Sequence, residues 1–306
     1  MDKLAANRHI KPTLSDRVFD IINVIVMLIL LVIFVWPLWF VVIASVSNPN
    51  EVWMGNVILW PKGFTLLSYE ELINYSRIWT GYANTIFYTV VGTALNLVMT
   101  VCAAYPLSKR TFMARNFFMV MLMITMYFGG GLIPTYLVVN SLGLLNTRWA
   151  MIVPSACSVY NVLVTRTYFK SSIPEALQEA ATLDGANALQ YLIRIVLPLS
   201  KPILAVVGLY YAVGHWNDFY TALIYITNEE LLPLQSFLRD ILMSNKMTMS
   251  TASLQGMDAA TAEARMQLSQ TLKYSVIIVS TVPVLCVYPL IQKYFVKGVM
   301  IGSIKG

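Results

Sequence analysis

Long apolar runs separated by short polar segments dominate the chain. A membrane span needs ~20 apolar residues, and six stretches meet that length: about 21–46, 84–107, 117–139, 149–168, 203–226 and 274–295. The fourth is the weakest, interrupted by Pro154, Ser155, Ser158 and Asn161. The first follows basic residues, as a signal sequence would. It is nevertheless longer than the about 7–15 residues of a signal h-region, and no small-x-small cleavage site ends it cleanly. The pattern predicts an all-α polytopic membrane protein, six transmembrane helices in a single domain over 1–306.

One polar interruption, 172–198, lies between the fourth and fifth runs. Ser172, Pro174 and Glu175 form an S-x-x-E capping pattern with proline in the first turn, which predicts a short helix over 174–183. Asp184 is placed to cap the next helix, and Gly185 supplies the permissive backbone of a sharp turn. A second short helix over 186–196 carries Leu189, Leu192, Ile193 and Val196 on one face. Pro198 and Pro202 close it and open the fifth span.

Composition agrees with a lipid environment. Of 306 residues 58% are hydrophobic and 12% charged, with mean hydropathy +0.66, whereas soluble domains carry about 25% charged residues. The net charge of +6 does not describe a nucleic-acid face, because the basic residues sit between the apolar runs. With the N-terminus inside, fourteen of the 21 Lys and Arg fall on inner segments, so the positive-inside bias places both termini and the 172–198 loop in the cytoplasm. Cys102, Cys157 and Cys286 are scattered singly through apolar stretches and read as small buried hydrophobes.

The spacing Glu179-Ala180-Ala181, three residues, Gly185, nine residues, Ile195-x-Leu197-Pro198 resembles the cytoplasmic loop of permease subunits of binding-protein-dependent ATP-binding-cassette importers. Asn84-Thr85-Ile86 and Ala104-Tyr105-x-Leu107-Ser108 carry the same resemblance, and residues 142–147 resemble the oligosaccharide-handling, maltose-type branch. The resemblance implies that Glu179, Ala180, Ala181, Asp184, Gly185, Ile195, Leu197 and Pro198 form a coupling helix and its supports, docked on a separate ATPase. It also implies two ATPase subunits holding ATP and Mg, a second and similar permease subunit forming a heterodimer, an extracellular solute-binding protein, and a sugar or oligosaccharide substrate in a bacterial inner membrane. The long outer segment 227–273 would touch the binding protein, and the tail 297–306 would reach toward the ATPases.

Two polar features inside spans mark a candidate substrate path. Gly129, Gly130 and Gly131 with Pro134 free backbone groups beside Tyr136, a bend that must face protein or water. Asp218 is the only acidic residue deep in a span, where a charge costs at least ~2.5–3.5 kcal/mol. Asn217 and Asp218 could bond sugar hydroxyls, with Trp216 and Tyr220 as flat apolar faces, so Trp216, Asn217, Asp218, Tyr220, Gly130 and Tyr136 are the path candidates.

Other function classes fit less well. An ion-coupled secondary carrier would use Asp218 as its coupling carboxylate, but no internal repeat of the kind that builds such carriers is visible. A membrane enzyme would need paired carboxylates, and the adjacent pairs Glu70-Glu71 and Glu229-Glu230 fall on outer segments. No G-x-x-x-x-G-K-[ST], H-E-x-x-H or G-x-S-x-G occurs, so the chain is expected to have no ATPase site, metal or cofactor of its own. Seven basic and eight acidic residues on the outer segments give no field that selects an anionic solute.

Overall fold

The computed structural model describes residues 13–247, 267–268, 271–287 and 289. The tail 297–306, the end of the sixth run, and residues 248–266, 269 and 270 of the 227–273 segment lie outside those residues. The fold is all-helical, with no strand among the described residues. It divides into two compact units, residues 1–68 with 256–278, and residues 69–255 with 279–306.

In the first unit α1 (Leu14–Ser45) starts at a capping box: the Thr13 hydroxyl accepts from the Asp16 N–H, and the Asp16 carboxylate accepts from the Thr13 N–H at 2.8 Å. Its apolar side chains point outward along almost the whole length, and only Ile43, Ala44 and Ser45 are buried. A 32-residue helix with this surface is made for lipid. After it comes α2 (Pro49–Trp53), capped by Asn48. The following hairpin is pinned back: the Trp39 indole N–H donates to the Leu59 carbonyl at 2.9 Å, and the Trp60 ring meets Trp39 edge-on at 6.1 Å.

The second unit is arranged around α4 (Ser76–Ser108), which follows the short α3 (Leu67–Asn74). Then come α5 (Arg115–Tyr127), α6 (Leu132–Ser141), α7 (Val159–Ser172), α8 (Glu175–Leu183), α9 (Ala188–Tyr191), α10 (Leu197–Leu199), α11 (Lys201–Trp216), α12 (Tyr220–Tyr225) and α13 (Leu234–Met247). A further apolar helix, α14 (Thr271–Val287), runs from the first unit's share of the chain into the second's. The principal packing surfaces in the second unit are those of α11 and α7 against α4.

One face of α4 is a stripe at every fourth residue: Asn84, Tyr88, Gly92, Asn96, Thr100 and Ala104, all buried. Residues four apart share a helix face, and here that face is polar or small rather than apolar. Gly92 lets α11 approach, since a Cβ at that position would lie 2.4 Å from the His215 ring. His215 in turn shares a hydrogen bond of 2.7 Å with the Asn96 side chain.

Three of the six expected spans are not single helices. The run 117–139 is α5 and α6, bent by 116° across Gly129–131, with Gly131 at φ +85°. The run 149–168 is a 3₁₀ turn (Arg148–Met151), an irregular segment, and then α7. The run 203–226 breaks after Trp216 and resumes as α12. Apolar composition predicts burial in lipid but not helical continuity, and glycine, proline and Asn217-Asp218 stop the helices. Only α1 and α4 among the described residues are long and apolar enough to cross alone; counting the bent pairs α5–α6 and α9/α10–α11 brings the number to four. The cysteines also differ from expectation: Cys102, Cys157 and Cys286 are exposed on the protein surface.

The irregular segment is held by the stripe. The Asn96 amide donates to the Ser155 carbonyl, and the Tyr211 hydroxyl, paired with Thr100 at 2.8 Å, accepts from the Ser158 N–H at 3.1 Å. Farther along α4, the Asn84 amide donates to the carbonyls of Glu230 and Leu232, the Tyr88 hydroxyl to Leu231, and the Thr85 hydroxyl accepts from the Leu234 N–H.

Replacing Gly92 by alanine should overpack this contact and destabilise the solubilised protein by about 1–3 kcal/mol. His215→Ala in the same chain should recover most of the thermal midpoint lost. Equal midpoints for Gly92→Ala alone and wild type would show that the close approach is not constraining.

Candidate functional site

The 172–198 segment folds as a compact helical hairpin. The expected Ser172 capping box does not form: Pro174 is the N-cap of α8 with no side-chain cap, and Ser172 pairs with Ser171 instead. Proline explains the outcome, because its fixed φ and missing N–H already suit a helix start. Asp184 likewise ends α8 rather than beginning the next helix. The Gly185 N–H reaches the Thr182 carbonyl at 3.0 Å and the Ala186 N–H reaches Ala181 at 2.9 Å. This is a Schellman closure, and it needs the left-handed φ of +76° that Gly185 supplies.

The cap of α9 is Asn187. Its side chain accepts from the Gln190 N–H at 2.8 Å, and Gln190 returns the bond to the Asn187 N–H at 2.9 Å. After α9 the chain widens into a π turn, Leu192–Val196. Pro198 has no N–H to give and its ring crowds the carbonyl four residues back, and a π turn is one way a helix absorbs such a misfit. The hairpin then meets α11 at an 81° bend.

A buried cluster fixes the hairpin: Ala181, Tyr191 and Val196 pack with Ala104 and Leu107 of α4, Val162 and Phe169 of α7, and Ile173. Ile195 is partly buried against it. Of the predicted coupling residues, Ala181 and Ile195 therefore face inward and Leu197 is half-buried, while Glu179, Ala180, Asp184, Gly185 and Pro198 are exposed. Leu183 is 88% exposed and Leu189 63% exposed, the most exposed of several apolar side chains on the hairpin surface, with Ile193 and Leu177 exposed as well.

Beneath α8 lies a cleft of about 520 Å³ between α4, α7 and the hairpin. Lys109, the residue after α4, reaches into it. Its ammonium sits 4.9 Å from the Tyr105 ring and 4.6 Å from the Tyr191 ring, and donates to the Gln178 side-chain oxygen at 2.5 Å. Partial burial pulls the Lys109 ammonium below the usual lysine range, and nearby Glu175 offsets part of that. Cation–ring contacts contribute ~0.5–1 kcal/mol when exposed and ~2 when desolvated. Arg110 pairs with Glu175 at 3.3 Å, both largely exposed, so that pair contributes little. Sequence reasoning counted Lys109 only as an inner-side charge; its position four after Tyr105 was the available signal.

The second candidate group is more dispersed. Trp216 is buried, its indole N–H donating to the Ser280 carbonyl at 3.1 Å. Asn217 bonds back to the Val213 carbonyl, and the Asp218 carboxylate accepts from the Thr221 N–H at 3.0 Å, serving as a local cap in the break before α12. Asp218 is thus half-buried in a turn rather than deep within a continuous helix. Tyr220 is exposed. Tyr136 stacks on Tyr225 at 6.1 Å, which brings α6 against α12, and Gly130 sits at the α5–α6 bend, where an added Cβ would meet only Pro134 at 3.8 Å.

Comparison with known proteins decides the family. Residues 103–301 match the model for the binding-protein-dependent transport system inner membrane component. The chain belongs to that family. It is 38% identical over 96% of its length to Protein LplC of Bacillus subtilis, covering 97% of that protein. It is also 38% identical, over 96% of its length and 100% of the relative's, to the polygalacturonan/rhamnogalacturonan transport system permease protein YtcP of the same organism. A solved bacterial ATP-binding-cassette transporter involved in import of the acidic polysaccharide alginate superposes with TM-score 0.82 at 35% identity, over 92% of this chain and 98% of that one. The protein is therefore the permease component of an ATP-binding-cassette importer, and ATP hydrolysis lies in separate subunits. Nothing in these comparisons favours the ion-coupled carrier.

Removing the Asn187 cap of this permease by Asn187→Ala should cost about 1 kcal/mol locally. Amide exchange over 188–191 should then speed up about fivefold, with the α4 amides unchanged. Unaltered exchange at Gln190 would mean the cap carries no load.

Proposed function

We propose that this permease forms half of the translocation path of a sugar importer. In this reading six spans follow the apolar runs of the single 1–306 domain, both termini face the cytoplasm, and the 172–198 hairpin docks on an ATPase subunit there. Glu179, Ala180, Asp184, Gly185 and Pro198 present or shape the docking surface, and Ala181, Ile195 and Leu197 hold it to the bundle. The observation that carries the proposal is the exposed Leu183 and Leu189 on a rigidly backed hairpin bearing the Glu179–Pro198 pattern. Large apolar side chains left uncovered outside lipid call for a protein partner.

The partners are two ATPase subunits, a second, similar permease subunit as the other half of a heterodimeric pore, and an extracellular solute-binding protein. ATP binding closes the ATPase pair, and the docked hairpin transmits that closure, shifting the spans from inward- to outward-facing. Such a shift requires the ATPases to bind the two states with different free energies. The substrate is an oligosaccharide, supported by the polygalacturonan/rhamnogalacturonan relative and the alginate importer. Tyr136, Tyr220, Asn217 and Asp218 remain the path candidates beside the Gly130 bend, with Trp216 as a packed support. The 227–273 segment would meet the binding protein.

Gly185→Val forces a β-branched residue into left-handed backbone at a cost of about 1–3 kcal/mol, and Glu179→Lys reverses the exposed charge. Both variants should insert normally, and both should lose transport-coupled ATP hydrolysis in the reconstituted complex. Wild-type coupled hydrolysis in both would refute the docking role. A cysteine placed at 179 in a background lacking the three native cysteines should react only from the cytoplasmic side. Labelling from outside would overturn the topology. For the substrate, ATP hydrolysis should respond to a binding protein loaded with an oligosaccharide, and a sugar panel without effect would remove that assignment.

A further inference from the structure

The Lys109 cleft joins three elements through one ammonium. Tyr105 belongs to the last turn of α4, Gln178 to the middle of α8, and Tyr191 to the end of α9. All three bring a ring or an amide oxygen to the same nitrogen, at 4.9, 2.5 and 4.6 Å. A second bond runs parallel, from the Tyr105 hydroxyl to the Ala188 carbonyl at 3.2 Å. By contrast, the Arg166 guanidinium, which reaches the Leu107 carbonyl at 2.9 Å, ties α7 to α4 without touching the hairpin. The cluster beneath is apolar and non-directional, so it sets how close the hairpin lies to α4 but not its angle. A cation fixed between two ring faces and one acceptor sets the angle.

We infer that Lys109 is a positioning residue that locks the 172–198 hairpin to α4, so that displacement of α8 is delivered to α4 as a rigid-body movement. The inference rests on the docking reading above and names the element that receives the push. α4 is suited to that task. It is a single 33-residue helix, and its other end holds the backbone of 230–234 through Asn84, Thr85 and Tyr88. Motion entering at Lys109 therefore reaches the far end of the second unit without crossing a break, whereas α5–α6 and α11–α12 are interrupted.

The test uses the assembled complex with its ATPases and binding protein, comparing Lys109→Met, which keeps the stem and loses the charge, with Lys109→Arg, which keeps a cation that stacks on rings and donates to an amide. Expected for Lys109→Met are normal co-purification of the ATPases, an unchanged thermal midpoint, continued ATP hydrolysis, and at least a tenfold fall in sugar molecules transported per ATP. Lys109→Arg should restore that ratio to within twofold. Tyr191→Leu should lower the ratio in the wild-type chain and add nothing in Lys109→Met, as expected when two groups act through one contact. A wild-type transport ratio in Lys109→Met overturns the inference, and so does failure of Lys109→Arg to rescue or loss of the ATPases from the Lys109→Met complex. The docking reading fails separately, through normal coupling in Gly185→Val and Glu179→Lys.

Discussion

An amide or carbonyl without a partner in hydrocarbon costs several kcal/mol, and this chain contains more broken helix than a simple bundle would allow. The polar face of α4 is what makes that tolerable. Asn96 and the Thr100–Tyr211 pair supply the donor and acceptor that the segment before α7 lacks, and Asn84, Thr85 and Tyr88 do the same for the segment entering α13. Without this stripe the irregular segment of the fourth run would be forced either to become a helix across Pro154 or to leave its backbone unpaired. The spacing of four residues is therefore a requirement of the breaks.

The same helix imposes order on the end that carries the hairpin. Ala104 and Leu107 form the floor on which Ala181, Tyr191 and Val196 rest, and Lys109 continues directly from that floor. A hairpin attached only by its two chain ends could rotate about them. The buried cluster removes translation toward or away from α4, and the directional contacts of Lys109 and Tyr105 remove rotation. Two kinds of interaction are needed because hydrophobic contact is nearly indifferent to angle, while a hydrogen bond or a ring–cation contact is not.

What sequence made legible follows from what hydropathy measures. The first two runs contain no charged residue and became α1 and α4, each extended by several residues at its N-terminal end. The third and fifth, read as apolar runs, are bent or broken, because composition does not register the geometry of three successive glycines or of Asn217-Asp218. The hairpin was visible as two helices around Gly185, and its Glu179–Pro198 pattern pointed to the family. Its caps were misassigned: Asn187-x-x-Gln190 was as clear a capping box as Ser172-x-x-Glu175, and only the second follows immediately on a helix that already ends there. Asn84 was read only as part of the Asn84-Thr85-Ile86 phrase, and Asn96 was not singled out. Their signal was periodic rather than local, since they share a face with Tyr88, Gly92 and Thr100.

The hairpin pattern can now be divided by direction. In Glu179-Ala180-Ala181 the third residue is buried at 6% exposure while the first two face outward. A larger side chain at 181 would have to find room in a cluster that also holds Val162 and Phe169 of α7, whereas 179 is exposed. Gly185 belongs to neither class: a Cβ there would meet nothing within 4 Å, so its constraint is the +76° φ alone. Ile195 faces the cluster and Pro198 sets the π turn that lets Val196 reach it. Ala181, Ile195 and Leu197 thus hold the hairpin to the bundle, Gly185 and Pro198 shape its backbone, and Glu179 and Ala180 face outward. In the docking role proposed above, a fixed support matters, because a docking surface on a pliant one would absorb displacement that a fixed one passes to α4.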